Sequence, residues 1–519
     1  MVYKGNNTRY IKMAKKVAEN TMKQIEQCFT PQDFDDFVNK FGSSFSRQDL
    51  LDRFEEITQK LHEMTEEEEA GENTMKKIEQ CYKQQDFDDF VNEFGSSFIR
   101  QDLLDRIETV TGHKLHKFLR RGLFYSHRDL DLLLTAYEEG KRIYIYTGRG
   151  PSSDSLHLGH LIPFIFTQYL QKIFNAICVI QITDDEKFLR DINLTQEQTF
   201  NYAIENIKDI IACGYDPKKT FIFIDSLYIQ HLYPVSCKVG RLISVNQIRK
   251  VFGFSPETGV GYFAFPPTQI APSFPDAFPH IFKDMNPKDV FCLIPQGIEQ
   301  DPYFRLCRDI SEPLGYNKPA LIHAKYIPSL YGVGKMSASK KKEDQLKDQE
   351  EKFKKELDEL EKLEKTRNLE DDDKKRKNKL IEYLQPSKAK ERQRLAELSQ
   401  LEDSSNSTIF MTDTPKQIKD KINKFAYSGG QETAEKQREL GANLDLDVSI
   451  KYLEVFLEDD NELDRIKEDY RTGKILTGDV KKIFIDVVQQ LVKNHQVKRA
   501  QIDMDIVNKF ISVRQMKMD

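Results

Sequence analysis

Short apolar runs alternate with helical stretches through the middle of the chain. The apolar runs have the length of buried strands and occupy residues 142–148, 176–183, 220–225, 290–295 and 320–327. Between the first three runs, residues 157–174 and 195–214 show apolar side chains at helical spacing, and Gly214 is a typical helix stop. Strands that alternate with helices predict an α/β fold with a doubly wound, parallel sheet of the Rossmann type.

A short unit occurs twice near the amino terminus. Residues 20–28 return almost unchanged as residues 73–81, and residues 32–55 return as residues 85–108. The pattern within the unit predicts an amphipathic helix, a glycine–serine stop and a second helix. Because the second copy runs directly into the main domain, we expect it to be built into that domain and the first copy to be appended.

Residues 340–404 differ from the rest of the chain because they consist mostly of Lys, Glu, Asp, Gln and Leu. Phe353, Leu357 and Leu360 form a narrow apolar stripe, and Pro386 interrupts the later part. This pattern favours an antiparallel helical hairpin that projects from the surface, and a partly disordered charged insertion is the alternative.

The carboxyl-terminal part of the chain is helical again, with long amphipathic stretches at residues 449–473 and 477–502. The second stretch carries basic side chains that form either an RNA-facing surface or an ordinary solvated helix face. These side chains are Lys481, Lys482, Lys493, His495, Lys498 and Arg499.

The patterns together divide the chain into five expected regions. They are an appended copy with an acidic linker (1–72), a second copy at the start of the α/β region (73–141), a Rossmann-type domain (142–339), a charged helical insertion (340–404) and a helical C-terminal domain (405–519).

Charge and cysteine content narrow the choice of partners and compartment. A net charge of -6 gives no overall basic field, so any contact with RNA must come from local patches. The seven cysteines form no CxxC pair and no cluster with histidine, which argues against structural zinc and favours a reducing compartment. No apolar run reaches the length of a membrane span, so we expect a cytoplasmic protein; the Lys-rich amino terminus leaves a transit peptide as the alternative.

The sequence TGRGPSSDSLHLGH at residues 147–160 joins the first predicted strand to the first helix. Its glycines permit tight turns, and the N–H groups at the start of a helix suit a phosphate. His157 and His160 are three residues apart, so both project from one side of the first turn and can donate hydrogen bonds to a nucleotide. Gly159 lets an adenine ring lie close to the backbone. The alternative is a surface turn with incidental histidines.

The sequence GKMSAS at residues 334–339 is a second loop suited to phosphate. Lys335 supplies a mobile positive charge for pyrophosphate, and Ser337 and Ser339 supply hydroxyl and N–H groups. Each motif alone is weak, but the two together on a doubly wound sheet predict a split ATP site. The expected ATP-binding residues are Thr147, Arg149, Gly150, His157, Gly159, His160, Lys335, Met336, Ser337 and Ser339.

The HLGH and KMSAS sequences resemble the two signatures of class I aminoacyl-tRNA synthetases. The segments VIQITDDEK (179–187), QDPYFR (300–305) and FLEDD (456–460) look like the eukaryotic tryptophanyl family in particular. The resemblance covers about residues 86–339 and 405–519. It implies a cytoplasmic homodimer that activates L-tryptophan with ATP and Mg²⁺ and loads it onto tRNA(Trp), which the C-terminal domain holds at the anticodon.

The resemblance also implies an amino-acid pocket. Its residues are Tyr146 and Gln181 at the indole, Glu186 with Lys187 at the ammonium group, and Gln269 and Gln300. The indole has a single polar atom, an N–H donor, and phenylalanine would leave a buried acceptor for that donor unpaired. Without the resemblance, the first two would be taken for ordinary half-buried polar residues.

Three features depart from the family pattern. Glu299 stands where Asp is more usual, Tyr427 stands where Phe is usual, and the insertion follows Ser339 directly, which puts the kinetics in question more than the reaction. The alternatives are a tyrosyl-tRNA synthetase, a non-catalytic relative that binds RNA or partners, and a small-molecule adenylyltransferase. TDDEK argues against the first, the intact histidines and Lys335 against the second, and the helical C-terminal domain against the third.

Overall fold

A computed structural model describes residue 91, residues 94–332 and residues 407–516 of the chain. Its centre is a sheet of seven strands in the spatial order β1-β2-β7-β6-β3-β4-β5. The strands are β1 (Ser97–Phe98), β2 (Phe124–Arg128), β3 (Arg142–Arg149), β4 (Ile177–Ile182), β5 (Thr220–Ile224), β6 (Val290–Gly297) and β7 (Ala320–Ala324).

Five neighbouring strands, β7-β6-β3-β4-β5, run parallel to one another, whereas β1 and β2 form an antiparallel edge. The prediction of a parallel doubly wound sheet is confirmed for those five strands, and the antiparallel edge was not predicted. The chain leaves β3 toward β4 on one side and reaches β6 on the other. Such a point, where connections diverge at the carboxyl ends of parallel strands, opens a crevice for a ligand.

Helices cover both faces of the sheet. The helices up to β7 are α1 (Gln101–Thr111), α2 (Lys117–Arg120), α3 (Leu130–Glu138), α4 (Leu158–Ile173), α5 (Asp184–Arg190), α6 (Gln196–Ala212), α7 (Asp225–Gly240), α8 (Val245–Phe252), α9 (Val260–Ile270), α10 (Pro279–Phe282) and α11 (Asp301–Ser311). The carboxyl-terminal helices are α12 (Pro415–Phe425), α13 (Ala434–Leu440), α14 (Val448–Phe456), α15 (Asp460–Arg471), α16 (Thr477–Arg499) and α17 (Met504–Ile511). No helix among the described residues is both long and apolar enough to cross a membrane.

Alternate residues of the central strands point to two separate cores, as the pleat of a strand requires. Ile143 and Ile145 of β3 belong to the first core, which includes side chains of α1 to α4, of α6 and of α14 to α17. Tyr144 and Tyr146 belong to the second core, which is built mainly from α7 to α11. The carboxyl-terminal helices therefore share a continuous apolar core with one face of the sheet.

Polar contacts also join α2 to the carboxyl-terminal helices. Lys117 is buried, and its ammonium group donates to the carbonyl of Phe456 at 3.0 Å and pairs with Glu458 at 2.5 Å. Burial lowers the pKa of Lys117, and the Glu458 carboxylate opposes this shift. Arg121 donates to the carbonyl of Leu457 at 2.7 Å. These contacts fix the ends of two segments that are far apart along the chain.

The helices and strands predicted within residues 142–332 and 407–516 are present, with one difference. The stretch 449–473 forms two helices instead of one, because Asp459 accepts the N–H of Glu462 and so starts a new helix at α15. The strands β1 and β2 were missed. The second repeat contributes β1 and α1 to the main fold, whereas the first repeat and the charged insertion lie outside the described residues.

Candidate active site

A buried cluster of hydrogen bonds lies at the carboxyl ends of β3 and β4. The hydroxyl of Tyr146 lies 2.5 Å from Oε1 of Gln181, and it accepts the Nε2 hydrogen of Gln269 at 3.1 Å. Tyr146 and Gln181 are 1% and 0% exposed, so water does not compete for these groups. Three of the six residues expected in the amino-acid pocket are thus in direct contact.

Asp225, at the end of β5, determines which way the Gln181 amide points. The Nε2 of Gln181 donates to both carboxylate oxygens of Asp225, at 3.0 and 2.9 Å. Its Oε1 must then face Tyr146 as an acceptor. Burial raises the pKa of Asp225 well above its usual range, and burial also raises the pKa of the adjacent Asp185 to about 6. Sequence analysis missed Asp225, although its place at the end of a predicted strand was a signal.

Glu186 and Lys187 lie together on α5, which begins directly after β4. The Glu186 carboxylate is buried and pairs with Lys187 at 3.1 Å and with Arg190 at 2.8 Å. Arg190 in turn donates to the hydroxyl of Tyr303 at 3.0 Å. Two cations therefore already face the carboxylate that was expected to meet an ammonium group. Arg190 and Tyr303 were not expected at this position.

Gly150 brings the loop after β3 against these charged side chains. A Cβ atom at this position would lie 2.7 Å from Cε of Lys187, 3.0 Å from Oε2 of Glu186 and 3.2 Å from Oγ1 of Thr183. Only a glycine lets the backbone come this close without displacing them. The expected nucleotide loop and the expected ammonium site are therefore neighbours in space.

The two motif histidines lie at the start of α4. His157 is the residue that precedes the helix, and its ring stacks on that of His160 with the ring centres 3.4 Å apart. The Nδ1 of His160 accepts the backbone N–H of His157 at 3.3 Å. A neutral His160 then carries its proton on Nε2, where it can donate to a ligand. The expectation that both side chains lie on one side of the first turn is confirmed.

Arg149 supplies a cation beside this loop. Asn206 of α6 accepts the Nε hydrogen of Arg149 at 3.0 Å, and the guanidinium NH2 group is buried with no hydrogen-bond partner among the residues that the structure describes. Burial lowers the pKa of Arg149 to about 10, so it remains charged at neutral pH. A buried cationic donor without a partner favours an anionic ligand. Asn206 could not have been found from a motif.

The remaining expected residues surround the same crevice or lie outside the described part. The side chain of Thr147 lies close to β6, with its hydroxyl 3.5 Å from the carbonyl oxygen of Pro295. Gln300 closes a short 3-10 helix that leads into α11, and Gly159 lies in the first turn of α4. The four residues of the second motif, Lys335, Met336, Ser337 and Ser339, lie outside the described residues.

The segment that returns from the insertion packs against the first motif. The N–H of Leu330 donates to the carbonyl of Ser407 at 2.9 Å, so the two flanks of residues 333–406 meet. Beyond Ser407, Phe410 pairs with His157 in an antiparallel bridge, and their rings lie edge to face. This contact was not predicted, because it joins residues separated by the whole insertion.

The expected basic surface on α16 needs a correction. His495 is buried rather than exposed, and its Nε2 lies 3.0 Å from Oδ1 of Asp209. Arg499 pairs with Asp209 and with Glu205, at 2.7 and 2.6 Å. Both side chains therefore face α6 of the main fold. Lys482, Lys493 and Lys498 are exposed.

Comparison with known proteins shows the family of the chain. The family model of class I tRNA synthetases for W and Y matches residues 138–405 and 402–493. The cytoplasmic tryptophan–tRNA ligase of Homo sapiens is 43% identical over 438 residues, which are 84% of this chain and 79% of that protein. The corresponding protein of Dictyostelium discoideum is 42% identical over 434 residues, which are 83% of this chain and 92% of that protein.

A solved structure gives the same result. The tryptophanyl-tRNA synthetase of Giardia lamblia is 43% identical, covers 83% of this chain and 97% of its own, and superposes with a TM-score of 0.66. The chain therefore belongs to the class I aminoacyl-tRNA synthetases, within the family of eukaryotic tryptophan–tRNA ligases.

Proposed function

We propose that the crevice at the carboxyl ends of β3, β4 and β6 activates L-tryptophan with ATP and then transfers it to the 3′ end of tRNA(Trp). The observation that carries the assignment of residues is the close approach of Gly150 to Glu186 and Lys187. It puts the loop expected to hold the triphosphate beside the group expected to hold the amino acid, as a reaction between the two substrates requires.

Tryptophan binds with its indole beside Tyr146 and Gln181. The amide of Gln181 is fixed by Asp225 with its oxygen as an acceptor, which complements the indole N–H. Gln269 supports this arrangement through Tyr146. The Tyr146 hydroxyl donates to one lone pair of this oxygen, so a phenylalanine side chain would leave the second lone pair unpaired in a buried place, and such a loss typically costs about 1–3 kcal/mol.

The ammonium group of tryptophan binds at Glu186, beside Lys187, and Gln300 completes this end of the pocket. Because Lys187 and Arg190 already contact the Glu186 carboxylate, the ammonium group shares that carboxylate or displaces one of the cations. Displaced toward the crevice, Lys187 would face the loop at Gly150, where the triphosphate is expected.

ATP binds along the loop after β3 and at the start of α4. Arg149 offers its buried NH2 group to a phosphate oxygen, His160 offers its Nε2 hydrogen, and His157 orients the first turn. Thr147, Gly150 and Gly159 allow the nucleotide to approach the backbone. From the second motif, Lys335, Met336, Ser337 and Ser339 close over the adenosine and the leaving pyrophosphate.

The reaction needs no protein nucleophile. The carboxylate of tryptophan attacks the α-phosphorus of ATP, and the bond to pyrophosphate breaks. The hydroxyl at the 3′ end of the tRNA then attacks the activated carbonyl carbon, and AMP leaves. The protein contributes orientation and the stabilisation of negative charge that grows on the phosphate oxygens, for which the charged groups near α4 are suited.

The proposal also covers the roles of the domains, the assembly and the metal ion. Residues 405–519 act as the tRNA-binding domain, residues 142–339 as the catalytic domain with residues 73–141 as its N-terminal part, and residues 1–72 and 340–404 as additions. The enzyme is a cytoplasmic homodimer. Mg²⁺ arrives with the ATP phosphates, as is usual for this ion; the described residues contain no group of three or more His, Cys, Asp or Glu suited to hold a metal.

Amino-acid-dependent ATP–pyrophosphate exchange tests this function when it is run in parallel with tryptophan, tyrosine and phenylalanine. Exchange that requires tryptophan supports both the pocket and the ATP site. Exchange with tyrosine alone would establish the tyrosyl alternative and overturn the pocket assignment. Absence of exchange with all three amino acids would favour a non-catalytic relative.

A further inference from the structure

Asp209 is a buried carboxylate on α6 that the proposed reaction does not use. It is 1% exposed and lies almost one turn after Asn206. Its Oδ1 lies 3.0 Å from Nε2 of His495 and 2.7 Å from Nε of Arg499, both on α16. Its Oδ2 accepts the backbone N–H of Leu156 at 3.4 Å. One side chain thus contacts the long carboxyl-terminal helix and the residue that precedes His157.

The backbone before α4 depends on contacts of this kind. Leu156 is fully buried, and its carbonyl accepts the N–H of Met411 at 2.8 Å. Asn206 holds the same loop at a preceding residue, because its Nδ2 donates to the carbonyl of Ser153 at 2.7 Å. A buried N–H that loses its acceptor is costly, so Asp209 determines where the N–H of Leu156 can lie.

The Asp209 carboxylate in turn depends on α16. A buried carboxylate is tolerated only with a counter-charge or with several hydrogen bonds. Arg499 supplies the counter-charge, and His495 contacts the same oxygen. Arg499 is held from its other side by Glu205, at 2.6 Å. The position of α16 and the position of Leu156 are therefore coupled through a single side chain.

We propose that Asp209 is a positioning residue for the ATP-dependent step. The helix α16 holds its carboxylate, the carboxylate holds Leu156, and Leu156 fixes the backbone from which His157 and His160 project. The proposal rests on the roles proposed above for those two histidines. The tryptophan pocket lies on the opposite face of the sheet, so its affinity does not depend on Asp209.

Two substitutions test this role from opposite ends of the network. Asp209→Asn keeps the size and an acceptor for Leu156 but removes the charge that holds Arg499. Arg499→Gln removes the same ion pair from α16. In tryptophan-dependent ATP–pyrophosphate exchange, we expect each variant to lower kcat/KM for ATP about tenfold, which corresponds to about 1.4 kcal/mol. The Kd for tryptophan should stay within about twofold.

Tryptophan binding is measured directly from the fluorescence of the ligand, because the chain contains no tryptophan. The matched control is Glu205→Gln, which removes the other partner of Arg499 and leaves its pair with Asp209. We expect kcat/KM for ATP in the control to stay within about twofold of the value for the unmodified enzyme. A melting temperature equal to that of the unmodified enzyme shows that a variant is folded. If Asp209→Asn does not fold, Arg499→Gln alone still tests the proposal.

Two results would overturn the proposal. One is an unchanged kcat/KM for ATP in both folded variants. The other is an equal fold-loss of kcat/KM for ATP and of affinity for tryptophan, which would indicate general loosening of the fold. A His160→Ala variant measured in parallel separates this inference from the proposed function. If His160→Ala is impaired and both network variants are normal, only the inference about Asp209 fails.

Discussion

The two faces of the sheet hold their functional residues in different ways. On one face, the start of α4 is held by the carboxyl-terminal part of the chain: the backbone N–H of Leu158 donates to the carbonyl of Ile409, and Asp209 connects Leu156 to α16 through its ion pair with Arg499. On the other face, the side chains of Tyr146 and Gln181 hydrogen-bond with Gln269 and Asp225 close to the strand ends.

The difference predicts two kinds of sensitivity. The proposed ATP side depends on an ion pair between α6 and α16, so it should respond to changes far from the substrate. The proposed tryptophan side is a buried network in which Tyr146, Gln181, Gln269 and Asp225 hydrogen-bond to one another. Such networks discriminate against a ligand that leaves one of their polar groups unpaired. The four predictions below test this contrast, beginning with the largest effect.

Removal of the His160 imidazole should affect the ATP side alone. His160→Ala is expected to slow formation of the adenylate by about 100-fold, typical for the loss of one preorganised donor. Single-turnover kinetics at saturating substrate measures this rate. The Kd of tryptophan serves as the control and should not change. An unaltered single-turnover rate would exclude His160 from the chemistry.

Removal of the Gln181 amide should affect the tryptophan side alone. Gln181→Leu removes the amide that donates to both carboxylate oxygens of Asp225 and removes the acceptor for the indole, while Tyr146 keeps Gln269 as a partner. We expect KM for tryptophan to rise about 30-fold, close to 2 kcal/mol, and the preference over phenylalanine to narrow. Exchange assays with both amino acids measure this, with KM for ATP as the control. Undiminished rejection of phenylalanine would remove Gln181 from indole recognition.

A methyl group at Gly150 should disturb both sides, because this residue lies where they meet. The new Cβ would force Lys187 and Glu186 to move, since it would lie within 3.0 Å of each. Gly150→Ala is expected to raise KM for ATP and for tryptophan about fivefold each, an overpacking cost of about 1 kcal/mol.

Gly478→Ala is the matched control for Gly150→Ala, because a Cβ there meets nothing within 4 Å. Steady-state exchange kinetics of the two variants makes the comparison. A change in KM for only one of the two substrates would show that the two sites are not joined at Gly150.

The smallest expected effect is the pH dependence of stability that comes from Asp185, which lies beside Asp225. Burial raises the pKa of Asp185 to about 6, above its ordinary value of 3.8. The folded state then binds this proton more tightly than the unfolded state, so the contribution of Asp185 to stability falls as pH rises from about 4 to about 6 and changes no further above that.

The substitution Asp185→Asn should flatten this dependence and raise stability at pH 7.5 by on the order of 1 kcal/mol. Urea unfolding between pH 4 and pH 8 measures it, and the exposed acid Asp505, changed to Asn, is the control. An unchanged slope in the Asp185 variant would mean that this carboxyl is ionised throughout.

The sequence was sufficient for the parallel strands and for the residues within short motifs, because apolar runs and local spacing determine both. His157 and His160 are an example: three residues of separation place them on one turn. The sequence was not sufficient for Asn206, since its partner Arg149 is distant in the chain and no spacing encodes the contact. The place of Asp225 after a predicted strand was a signal, but it did not identify Gln181 as the partner.

His495 shows a related limit. Helical periodicity identifies the faces of α16, but not which other helix packs on each face, so a buried partner of Asp209 was expected on an exposed face, either RNA-facing or simply solvated. The strands β1 and β2 were missed because the former is two residues long, and the latter has two aromatic residues followed by three polar ones, which gives neither an apolar run nor an alternating pattern.

The hydrogen bond between Leu330 and Ser407 has a consequence for how this enzyme can vary. The chain leaves the catalytic domain and returns to it at one point. The packing of that domain therefore requires only that Leu330 and Ser407 meet. Closing a flexible loop costs about 0.6 kcal/mol more for each doubling of its length. A family member can therefore gain or lose a large segment at this point while the architecture around the histidines stays the same.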